Sequence, residues 1–105
     1  MFDYCILPST QNGREIGFTS DKFEGILWRQ GDYIVISYIT SVMPGCGNLT
    51  ELFDNITKKG LGIKVPNPLP IMEQICKDKG FTWTQGPVEP GICNDIVNIY
   101  VRKKT

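Results

Sequence analysis

Four consecutive residues, Gly45-Cys46-Gly47-Asn48, place flexible backbone, a thiol and a carboxamide between an apolar run and an amphipathic one. The first backbone N–H groups of a helix have no partner inside it, and the macrodipole adds about half a positive charge there. Glycines just ahead of a helix let an anion approach those donors, so the chemistry this turn could serve is phosphate binding. A plainer reading is a tight turn in which Asn48 caps the helix and Glu51 completes a capping box. Glu51 would then compete with any anion for the same helix end. Cys46 also has two readings: a thiol made reactive by the helix N-terminus, or one packed under the turn.

Other groups that could move protons are few. The chain has no histidine, which removes Ser-His-Asp and Cys-His mechanisms and the commonest general base. Cys5, Cys46, Cys76 and Cys93 are widely spaced with no C-x-x-C pair, so a zinc site is not expected. Glu24, Asp32 and Glu89 could accept a proton, and each fits a hairpin or loop surface equally well. Cys76 could donate one, or could simply pack on an apolar helix face.

The elements that must position these groups follow from hydrophobic period and turn chemistry. Met1 to Leu7 reads as a short edge strand ending at Pro8, and Pro8 to Asp21 as loop, with Arg14 to Phe18 extended. Phe23 to Arg29 and Tyr33 to Thr40 flank Gln30-Gly31-Asp32 as a hairpin. Tyr33 to Ile39 is apolar at nearly every residue, which predicts a central strand covered on both sides. After the glycine turn, Leu49, Leu52, Phe53 and Ile56 recur with helical spacing, and Lys58-Lys59-Gly60 closes that helix. Gly62 to Val65 is a short strand stopped by Pro66-Asn67-Pro68, so strand, helix and strand form a right-handed parallel crossover. Pro70 opens a second helix carrying Ile71, Met72, Ile75 and Cys76 on one face, with Gly80 after its end. Phe81 to Val88 and Asp95 to Arg102 close the sheet around Glu89-Pro90-Gly91. The fold class is α/β: one domain over residues 1–105, a mixed sheet and two helices.

Composition bounds the function. At 105 residues the chain is the size of one domain, and 41% hydrophobic with 21% charged residues is ordinary for a globular protein. No apolar run approaches the roughly 20 residues of a membrane span. Eleven basic and eleven acidic residues cancel, so no positive field gathers nucleic acid, and Arg102-Lys103-Lys104 reads as a solvated tail. Met1 to Leu7 carries neither a basic leader nor a long apolar segment, so a cytoplasmic setting is expected.

The order of these features resembles the GNAT superfamily of N-acyltransferases: an apolar strand, a glycine turn opening a helix, a short strand, then a helix ending in Gly80-Phe81. The resemblance spans about residues 23 to 101 and is best from Ser41 to Phe81; its wording is similar to small GNAT-like proteins of bacteriophage genomes. It implies a GNAT-like domain that moves an acetyl group from acetyl-CoA to an amine of a protein or small molecule. In that family the turn has the pattern R/Q-x-x-G-x-G/A. The resemblance therefore implies that Gly45, Cys46, Gly47 and Asn48 give amides to the pyrophosphate, and that the strand end Ile39, Thr40, Ser41 and Val42 pairs its backbone with the pantetheine arm. Asn67 takes the place of an asparagine that faces the cofactor. Val42 stands where the family has Arg or Gln, so phosphate binding would rest on backbone amides. Cys76 stands where the family has the tyrosine that protonates the departing thiolate, and is the catalytic residue the resemblance implies. The helices that usually shape the acceptor pocket are reduced to the Pro8 to Asp21 stretch, an open site suited to a protein acceptor or a homodimer. The same departures suit an inactive GNAT-like binding protein, for example a phage product that inhibits a host protein in the host cytoplasm.

Overall fold

The computed structural model describes residues 3–43, 45–89 and 93–103. Pro44, Pro90, Gly91 and Lys104 of the turns and tail discussed above lie outside the described residues, as do the side chains of Glu89 and Cys93. The elements are β1 (Tyr4–Ile6), α1 (Gln11–Glu15), β2 (Phe23–Gln30), β3 (Tyr33–Ser41), α2 (Asn48–Lys58), β4 (Gly62–Pro66), α3 (Pro70–Asp78), β5 (Thr82–Glu89) and β6 (Cys93–Arg102). The six strands form one mixed sheet in the order β1-β2-β3-β4-β6-β5. β3 and β4 run parallel, joined through α2, and every other neighbouring pair is antiparallel. The radius of gyration, 12.8 Å, is that of one compact domain of this length.

The described residues form three helices where two were expected. The third, α1, occupies part of the stretch read as loop, and Arg14 to Phe18 is not extended. Thr10 Oγ1 accepts from the Gly13 N–H at 3.2 Å and starts the helix. Ile16 and Phe18 then turn into the core at 3% and 0% exposure, and Asn55 Nδ2 of α2 donates to the Ile16 carbonyl at 3.1 Å. Local composition favours a loop here; tertiary contacts select the helix.

One cluster holds the layers together. Leu52, Phe53 and Ile56 of α2, Cys76 of α3 and Ile16 and Phe18 beyond α1 meet Leu27, Ile34, Ile36, Ile63, Val65 and Tyr100 of the sheet. The Phe53 and Phe81 rings lie 5.2 Å apart, tying α2 to the residue after α3. Burying each such ring contributes roughly 1.5–3 kcal/mol.

Covering on both faces holds for only part of β3. Ile34, Val35 and Ile36 are buried, with Val35 alternating to the face away from the cluster, next to Trp28 and Lys64 on adjacent strands. Ser37 and Tyr38 are exposed. The pairing with β2 shifts register between Ile26 and Leu27, so β3 carries an extra residue there and bends. Among the described residues no helix is long and apolar enough to cross a membrane.

Candidate functional site

β3 and β4 pair only at Tyr33↔Gly62, Ile34↔Ile63 and Val35↔Lys64. Both strands then continue, β3 to Ser41 and β4 to Pro66, without pairing each other. The bulge turns β3 away, and Pro66 lacks the N–H that would extend the ladder. Beyond Val35, the side of β3 that faces β4 therefore has backbone donors and acceptors with no strand partner.

A cleft of about 870 Å³ opens beside the end of β3, within the size range of small-molecule sites. One wall is the end of β3, Ile39, Thr40 and Ser41. A second is the turn and first turn of α2: Gly45, Gly47, Asn48, Leu49 and Thr50. The third is α3, with Leu69, Pro70, Ile71, Met72, Ile75 and Lys79. Leu69 and Ile71, each 79% exposed, leave an apolar rim.

The capping-box expectation is not what forms at the turn. Gly47, at φ 78°, takes the N-cap position, no side chain caps the helix, and Asn48 is already its first residue. Gly45 has φ 85°, so both glycines use a left-handed conformation that other residues adopt at a cost of about 1–2 kcal/mol. A Cβ on either would meet nothing within 4 Å, so the space in front of them is open. The Glu51 N–H donates to the Gly47 carbonyl at 3.0 Å, while its carboxylate turns to Lys22, 3.7 Å away. Among the described residues nothing accepts from the amides of Cys46 to Thr50, which leaves the helix end electropositive.

No family model, curated protein or solved structure matches this chain. Its site is therefore read from its own geometry.

Of the sequence-derived candidates, Ile39, Thr40, Ser41, Gly45, Gly47 and Asn48 come together on the cleft. Val42 and Cys46 are exposed beside it without lining it. Asn67 is not brought in. At φ 47° it turns the chain after β4, and its N–H donates to the Asn98 carbonyl of β6 at 2.6 Å, on the side away from β3. Cys76 sits in the core: it is 0% exposed in the core cluster and does not line the cleft. Burial first, and the nearby Glu73 charge second, push its thiol up to about 11.

Of the other candidate proton acceptors, neither Asp32 nor Glu24 lines the cleft. Asp32 lies at the opposite end of β3, on the order of 25 Å away at strand rise. Glu24 is exposed on β2, opposite Thr40 in register, and does not line the cleft. A polar pair that the sequence did not single out lies against α3: the Tyr100 hydroxyl donates to Glu73 Oε2 at 3.1 Å. Burial, and then that bond and the Glu73 charge, raise the phenol above its usual range. The pair does not line the cleft. Sequence reasoning also missed the α3 wall, above all Lys79, a cation lining the same cleft as Gly47 and Asn48.

Proposed function

We propose that this chain is a GNAT-like protein that binds acetyl-CoA in the cleft between β3, α2 and α3 and transfers its acetyl group to an amine. The observation that carries this reading is the joining of two complementary features in one cavity. At one end is an uncapped helix N-terminus suited to a pyrophosphate; along one wall is a strand edge whose backbone groups lack a strand partner. A pantetheine arm has amide groups at strand-like spacing and would complete that edge by backbone pairing, as an added strand does. The apolar surfaces of Ile39, Leu49, Met72 and Ile75 would pack its methylenes. The strand order, with β3-α2-β4 as a parallel unit followed by α3 and a closing hairpin, supports the same reading.

Acetyl transfer asks mainly for positioning. A neutral amine attacks the thioester carbonyl carbon, the C–S bond breaks, and the proton released by the amine passes through water to the departing thiolate. The residues of this chain would hold the thioester: N–H groups at the end of β3 can donate to the carbonyl oxygen as charge develops on it. Among the described residues neither Cys76 nor a carboxylate lines the cleft, so this reading assigns the proton transfer to water.

That last observation favours a second reading, a binding protein that keeps the cleft without the catalysis, such as a phage product occupying a host factor. The two are separated by one pair of measurements. Millimolar acetyl-CoA and CoA should raise the melting temperature, as any ligand of the native state does well above its Kd. Hydrolysis-corrected release of CoA with an amine acceptor should then distinguish enzyme from binder. No thermal shift with either compound sinks the acetyl-CoA reading.

A further inference from the structure

Among the described residues lining the cleft, Lys79 is the one with a charged side chain, and no described carboxylate joins it. It caps the C-terminus of α3, where its N–H donates to the Ile75 carbonyl at 3.0 Å; this places it one helical turn beyond Ile75, another lining residue. Several other lysines are engaged: Lys22 with Glu51, Lys77 with Glu73, and Lys64 with Gln30 and over the Tyr33 ring. Among the described residues no acidic side chain lies within ion-pairing distance of Lys79. An exposed ammonium without an ion-pair partner on a mainly apolar cleft is available to an anionic group on whatever fills that cleft.

We infer that Lys79, on the α3 wall of the cleft, is the residue that recognises the phosphate-bearing part of the ligand. The inference rests on the acetyl-CoA reading and deepens it: the sequence pointed to a pyrophosphate held by backbone alone, whereas the structure adds a side-chain charge from α3. Lys79 thereby distinguishes a phosphorylated carrier from the bare pantetheine arm, which shares the apolar and amide contacts but has no charge. The alternative role is purely structural, a cation offsetting the negative end of the α3 dipole.

The test compares Kd values by calorimetry for CoA and for pantetheine, in the native chain, Lys79→Gln and Lys79→Arg. Lys79 is exposed, so both variants should keep the apo melting temperature, which is checked first. Lys79→Gln should weaken CoA about tenfold at low salt and leave pantetheine within about twofold, while Lys79→Arg keeps CoA close to native. The loss should shrink in 0.5 M salt, which screens a solvent-accessible pair. If Lys79→Gln weakens both compounds equally, or neither, the inference is overturned while the acetyl-CoA reading stands. If the native chain binds no CoA, both fall together.

Discussion

Gly47→Asp separates the two things the α2 N-terminus can do, because it acts with opposite weight on stability and on binding. The left-handed φ of 78° costs an aspartate less than most residues, and the added Cβ meets nothing within 4 Å. Against that strain of about 1 kcal/mol, a carboxylate beside the positive end of a helix contributes about 0.3–1 kcal/mol. Net stability should therefore change by less than about 1 kcal/mol, read as the urea midpoint of the apo protein. Binding should respond much more strongly. Two like charges about 5 Å apart at an effective dielectric near 20 repel by about 3 kcal/mol, and solvent screening at this open site reduces that to about 1.5–2. The expected result is a Kd for CoA at least about tenfold higher, with pantetheine little affected. Gly47→Ala supplies the control, since it carries the strain without the charge. Equal loss of CoA affinity in both variants would refute the electrostatic account, and unchanged affinity in Gly47→Asp would remove the phosphate from this helix end.

Two further outcomes test the frame that holds the cleft. Phe53→Ala removes a ring that is 0% exposed and stacked near Phe81, and should destabilise the fold by about 3–5 kcal/mol in urea unfolding. Stability should also fall as pH rises from about 9 to 11, because the Cys76 thiol loses its proton at about 11 when folded but near 9.0 when unfolded, so the native state binds more protons in that window. The fall attributable to Cys76 is on the order of 2–3 kcal/mol, present in full below pH 9, and Cys76→Ala should flatten that part of the slope; an unchanged slope would show that other groups, Tyr100 among them, carry it.

What could be read in advance was what local chemistry decides. The stripe of Leu49, Leu52, Phe53 and Ile56 has one helical solution, and the two-residue Gly31-Asp32 link between β-rich runs has one hairpin solution. The six lining residues from β3 and the turn come together because strand, turn and helix are adjacent in sequence, while their use by a ligand was only what the resemblance implied. α1 was not, because Ser, Thr, Asn and Gly read as loop until Asn55 of a distant helix bonds Ile16. On α3 the failure is one of azimuth. Met72, Ile75 and Cys76 make a single apolar stripe, yet Met72 and Ile75 line the cleft while packing against the core, and Cys76 lies wholly within the core. Helical period gives the width of such a stripe but not how it is divided between two neighbours. Lys79 fails for the same reason, since only the tertiary placement of α3 puts it on the same cleft as the turn.

The gap between β3 and β4 ties these pieces into one argument. Backbone groups without partners in a sheet interior are costly unless water or a ligand reaches them. Here two local features keep them unpaired: the extra residue opposite Ile26 and Leu27, and a proline ending β4. Either alone would shorten the ladder; together they open it towards the uncapped end of α2. A narrow, extended molecule with its own amides and an anionic end meets every one of these constraints at once. A generic anion would meet only the turn, and a generic hydrophobe only α3.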